Sequence, residues 1–175
     1  MAAVNPIENA QLCKLFPALT PKQITNLCFY SMGAAYQDVS GLLGATPTTI
    51  KKSLESAQKY FNVGSLPELK TAFWARFVFR QICNKYGIDS ERFMDSIHQE
   101  EIAALRPIFP ELNKYQLSGA VLHSIGFAAS EIATKSRFTA AQIDQLIREA
   151  VVALEAGSEL LLRMLITSRF INDLC

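Results

Sequence analysis

The sequence predicts an all-α fold made of two tandem four-helix units, each containing a helix-turn-helix, joined by a connecting helix. Three observations predict it. Slid by 93 residues without a gap, the chain matches itself: Phe16, Pro17, Leu19, Gln23, Gly33, Thr46, Ile50, Leu69, Arg76 and Phe77 fall on Phe109, Pro110, Leu112, Gln116, Gly126, Thr139, Ile143, Leu162, Arg169 and Phe170. Such self-similarity at a fixed period marks a duplicated supersecondary unit. Between the prolines and glycines, apolar residues recur three and four apart, the spacing of one helix face. Helix start signals also return at matching positions in both halves.

In the first half, Thr20-Pro21-Lys22-Gln23 combines an N-cap, a proline at the first helical position and a capping-box glutamine. Ile24, Leu27, Cys28 and Ser31 then run down one face to Gly33, a C-cap. A short helix over Tyr36 to Leu43 ends at Gly44, and Thr46-Pro47 starts a third that reaches Phe61. Leu66-Pro67-Glu68 starts a fourth, whose apolar pattern continues through Phe73, Trp74, Phe77 and Ile82 toward Tyr86-Gly87. A connecting helix is expected from Ser90 to Leu105, with Arg92, Asp95, Glu100 and Glu101 on its wet side. In the second half, Asn113 with Gln116 repeats the capping box, Ala129 to Ser136 forms the short helix, Thr139 caps Ala140 to Leu154, and Ser158 to Phe170 closes the unit. The expected division is therefore 1–86, a connector over 87–106, and 107–175.

Composition narrows the class. No run of 18 uncharged apolar residues and no signal peptide is present, so a cytoplasmic protein without membrane contact is expected. Cys13, Cys28, Cys83 and Cys175 are far apart, and His98 and His123 complete no metal-ligand spacing with them. Reduced structural thiols, a packed or rim His123 and an exposed His98 follow. No phosphate loop, nucleophile elbow or carboxylate pair is visible, so neither enzyme activity, cofactor nor small-molecule substrate is expected. Residues 1–93 carry ten Lys and Arg against six Asp and Glu, residues 94–175 seven against ten, so a polyanion would be met by the first half.

The first unit carries a more specific pattern. Leu19-Thr20-Pro21-Lys22-Gln23, Gly33, Asp38-Val39-Ser40, Leu43-Gly44-Ala45-Thr46, Thr49-Ile50-Lys51 and Tyr60-Phe61-Asn62-Val63-Gly64-Ser65 resemble, in residue type and spacing over about residues 19–80, the LuxR-type (GerE) DNA-binding domain. The resemblance implies a transcriptional regulator binding double-stranded DNA, with the helix beginning at Thr46 in the major groove. Thr48, Lys51 and Lys52 would then face bases and phosphates, while Thr49, Lys59 and Tyr60 would brace the helix or touch backbone. The chemistry is sound: lysines near the start of an inserted helix neutralise phosphate and donate to guanine, and short hydroxyls permit close approach. Three positions depart from the family pattern: Ala35 for a serine cap, Gln23 for a glutamate, and Glu55 where a further base is common.

The second unit is a divergent LuxR-like copy. It keeps Gly126, Glu131-Ile132-Ala133, Thr139 and Ile143, but Asp144 stands at the place of Lys51 and Arg148 is the only base on that helix. It is expected to serve assembly, as a homodimer contact or a site for a partner regulator. The fourth helices supply the candidate surface, with Phe73, Trp74, Phe77, Leu162 and Ile166 as its residues, in line with the family's habit of dimerising there. The competing reading is a protein-interaction module, an anti-activator that mimics a LuxR-type domain without binding DNA.

Overall fold

The computed structural model describes residues 6–95 and 99–175, and every regular element among them is helical. In chain order these are α1 (Pro6–Leu15), α2 (Pro21–Ser31), α3 (Tyr36–Leu43), α4 (Pro47–Tyr60), α5 (Leu66–Tyr86), α6 (Ser90–Asp95), α7 (Gln99–Ala103), a 3₁₀ turn (Arg106–Ile108), α8 (Lys114–Ser124), α9 (Ala129–Thr134), α10 (Ala140–Ala153) and α11 (Glu159–Leu174). The chain forms two compact units, residues 1–73 and 74–175. Their boundary falls inside α5, not at Tyr86, because Ala75, Val78, Phe79, Ile82 and Cys83 belong to the core of the second unit. Of the expected connecting helix, Ser90–Asp95 (α6) and Gln99–Ala103 (α7) are helical; the position expected for an exposed His98 lies outside the described residues.

In the first unit the capping signals act as the sequence predicts. Thr20 Oγ1 accepts from the Gln23 N–H while the Gln23 side chain accepts from the Thr20 N–H at 2.8 Å, a reciprocal box that satisfies two donors at the start of α2. Gly44, at φ 64°, ends α3 in the left-handed conformation that a side chain disfavours, and Thr46 caps α4 two residues later. The core contains Phe16, Ile24, Leu27, Val39, Ile50, Leu54, Phe61 and Leu69, all fully buried. Phe16 stacks on Phe73 at 5.3 Å and meets Phe61 edge-on at 5.6 Å. Each such buried side chain contributes roughly 1.5–3 kcal/mol over its exposed state.

The second unit repeats these bonds in the same register. Asn113 and Gln116 form the box of Thr20 and Gln23, and Thr139 caps α10 as Thr46 caps α4. Glu131 accepts from the Ala128 N–H as Asp38 does from Ala35. Asn62 and Glu155, 93 residues apart, are both left-handed at φ 48° and 52°. The short helix is the exception, since α9 ends at Thr134 rather than Ser136. Arg137 stands where Gly44 does and does not take a positive φ, so the left-handed cap is lost and the helix stops early. Around Phe93, Phe109 and Phe170 the core of this unit gathers α5, α6, α8 and α11.

Candidate nucleic-acid interface

α4 is two-faced. Ile50, Leu54 and Ala57 point into the first unit, and on the opposite side Thr48, Lys52, Glu55 and Lys59 form a solvent-facing stripe at helical spacing. Lys51 flanks that stripe, also exposed. Two of the threonines expected at DNA are engaged in the helix start: Thr46 Oγ1 accepts from the Thr49 N–H and lies 2.9 Å from the Thr49 hydroxyl. Both remain exposed, so the cap leaves them reachable. Tyr60 is half-buried with its ring 5.1 Å from that of Phe61, which suits a bracing role better than a reading one. Glu55 lies 3.9 Å from Lys51 in a pair whose side chains are more than half exposed. Such an ion pair is weak, yet it places an acid within the positive edge.

Two features of this surface escape sequence reasoning. Lys22, on the first turn of α2, borders an open groove of about 480 Å³ shared with Thr25, Asn26, Gly44, Thr49 and Ser53. Asn26 is buried and bridges to Ser53 Oγ at 2.9 Å, fixing the polar floor between α2 and α4. An asparagine among the inward residues Ile24 and Leu27 was the available signal. Lys22 thereby adds an exposed cation on the Thr49 and Ser53 side of α4.

The second unit presents a different surface on the same frame. The outward stripe of α10 reads Ala141, Gln145, Arg148 and Val152, all exposed. Arg148 donates to Gln145 at 3.0 Å, and Gln145 in turn to Glu149 at 3.0 Å, so its one base is tied along the helix. Arg137 has left the helix axis, donating to the Tyr115 hydroxyl at 2.6 Å and lying over the rings of Tyr115 and Phe138. His123 is a buried side chain with Nε2 3.2 Å from Glu159 Oε2, and the hydrogen bond between them holds the Glu159 carboxyl below the usual range. With the boundary inside α5, the first unit carries six Lys and Arg against four Asp and Glu and the second eleven against twelve, a smaller contrast than the two sequence halves show.

The expected partner surface needs correction. Leu162 and Ile166 are fully buried in the core of their own unit, and Phe73 is buried against Phe16, so none of the three can meet a partner. Trp74 and Phe77 are half-buried, in edge contact at 5.8 Å, and Phe77 packs against the second core. α11 exposes Leu161, Met164 and Ile171 instead. An unbroken apolar run from Leu160 to Leu162 gives periodicity no way to choose the inner side.

Among the described residues no three His, Cys, Asp or Glu are placed to hold a metal ion, and no helix is long and apolar enough to cross a membrane. Comparison of the chain with family models, with curated proteins and with solved structures found no match.

Proposed function

We propose that the protein is a DNA-binding regulator of transcription whose first unit enters the major groove with α4, the second unit serving assembly or partner contact. The observation that carries this reading is the exposed positive edge at the start of a well-capped helix: Lys51 and Lys52 on α4, around exposed Thr46 and Thr48. A helix held at its N-terminus by a short turn, with cations and short hydroxyls outward and apolar residues inward, has the shape and charge that groove entry requires. The resemblance to LuxR-type domains supports the same assignment.

A second reading, an anti-activator that mimics such a domain, draws on different observations. Glu55 is paired to Lys51, the outward stripe of α10 is nearly neutral, and α11 shows apolar residues to solvent. Salt dependence separates the two. Fluorescence titration of a labelled duplex across a salt series should give a steep loss of affinity for the wild type, and Lys51→Ala with Lys52→Ala should flatten the logarithmic slope by about 1.8, the release expected for two phosphate contacts. An unchanged slope and affinity in the double variant would remove α4 from the interface. No duplex binding at low salt would favour the mimic.

A further inference from the structure

The internal repeat exposes a surface that the DNA reading does not use. In the second unit the back of α8 is covered: Val121, Leu122 and Ile125 are fully buried, in one core with Ala75, Val78, Phe79 and Ile82 of α5. Arg76 Nε donates to the Ile125 carbonyl at 2.9 Å, and its guanidinium lies 5.4 Å from the centre of the Phe127 ring. The 93-residue counterparts of Val121, Leu122, Ile125 and Phe127 are Cys28, Phe29, Met32 and Ala34. Their backbone is built alike: the Ala34 N–H donates to Phe29 O and the Phe127 N–H to Leu122 O, each at 3.1 Å. Yet in the first unit Cys28, Phe29 and Ala34 are only half-buried, and Met32 is 60% exposed. The same preformed apolar face is covered in one unit and open in the other.

The α5 segment that shares this core has a counterpart too. Residues 75–82, Ala-Arg-Phe-Val-Phe-Arg-Gln-Ile, correspond to 168–175, Ser-Arg-Phe-Ile-Asn-Asp-Leu-Cys. The four positions that α5 sinks into the second core, Ala75, Val78, Phe79 and Ile82, map onto Ser168, Ile171 and Asn172 of α11 and onto Cys175 just past its end, and all four are exposed. Leu161 and Met164, 49% and 50% exposed, continue this side of α11 at helical spacing, where α5 has Glu68 and Thr71. So α11 carries an open donor face, and the first unit an open acceptor face.

We propose that α11 of one copy docks across the back of α2 in a second copy, as α5 meets the end of α8, so that the protein associates head to tail through its own repeat. Repeat proteins stack because each unit buries a face its neighbour supplies, and unlike donor and acceptor surfaces make the contact heterologous. Ile171 takes the register of Val78. Arg169, in the register of Arg76, stays with Glu111 and the Ile108 carbonyl in its own unit, so the contact is made by uncharged residues and is little affected by salt.

Sedimentation velocity of the full chain over a concentration series tests this, with Met32→Glu and Ile171→Glu as variants. Both side chains are exposed, so folding is retained, as far-UV circular dichroism will verify. The wild type should rise with concentration to at least twice 19.4 kDa at low and high salt alike, and each variant alone should stay at 19.4 kDa. An equimolar mixture of the two variants should recover a pair and stop there, because each copy keeps one sound face. A wild type that remains a monomer overturns the proposal. So does a Met32→Glu protein that still pairs, the behaviour of a symmetric α11 dimer, and so does a mixture that fails to pair.

Discussion

α4 and α10 are the same helix built twice and finished differently. Both start at a threonine cap, both turn three apolar residues inward at identical spacing, and both are followed by a left-handed residue 93 apart. Outward, nothing is shared: Thr48, Lys51, Lys52, Glu55 and Lys59 face Ala141, Asp144, Gln145, Arg148 and Val152 across the repeat. A few caps and core positions thus suffice to hold the frame, and the solvent side is free to carry another chemistry. The two units also differ underneath. The first fills its centre with Phe16 between Phe61 and Phe73, while the second takes in the latter half of α5 and joins Phe79 to Phe93 and Phe170.

The core difference supplies the largest effect. Phe16→Ala should destabilise the first unit by about 3–5 kcal/mol, since a fully buried ring with two aromatic neighbours leaves a cavity that cannot collapse. Native-state hydrogen exchange should show the amides of α2 and α4 losing protection while those of α8 and α10 keep theirs. Equal loss in both units would mean that they unfold as one, and the comparison would have to be given up.

The turn difference is smaller and sharper. Gly44 has open space where a Cβ would go, so Gly44→Ala meets only the backbone penalty of its φ of 64°, about 1–2 kcal/mol. Its denaturation midpoint should fall accordingly, and α3 should shorten at its end as α9 does. If stability is unchanged, the early end of α9 has a cause other than Arg137.

How much of this was legible in the sequence depends on whether the signal was local. Thr20 with Gln23, Thr46 before Pro47 and Gly44 act on their own few residues, so the helices and their starts were readable. The exposure of Lys51 and Lys52 followed from the period of Ile50, Leu54 and Ala57. What was hidden depended on distant partners. α5 reads as one apolar helix, and nothing along it says that Phe73 packs on Phe16 while Phe79 packs on Phe93. The inner face of α11 and the place of Lys22 beside α4 were hidden for the same reason.

Acid should separate the units again. Hydrogen bonding from Arg169 holds the Glu111 carboxyl down to about 2 from its usual 4.5, and the matching residue in the first unit is Ala18. A carboxyl depressed on folding stabilises above its unfolded value and loses that contribution as pH falls from about 4.5 toward 2. The side chains are 30% and 39% exposed, so the pair is worth no more than about 1 kcal/mol. Glu111→Gln should therefore flatten the acid dependence of the second unit, followed by far-UV circular dichroism against pH, and leave the first unit untouched.

The smallest effect on stability bears most directly on function. Glu55→Gln removes the partner of Lys51 from an exposed pair, so stability should move by less than about 0.5 kcal/mol. At its register position the second unit has Arg148, so no acid stands at this point of α10. If α4 faces phosphate, Lys51 is released and a like charge is lost, and duplex affinity at low salt should rise roughly two- to fivefold, fading as salt is added. If α4 instead mimics a DNA-binding helix for a protein partner, Glu55 belongs to the disguise and duplex binding stays absent with glutamine in its place. One neutralised carboxylate, measured at two salt concentrations, thus sets the two readings of the first unit against each other without disturbing the fold that both require.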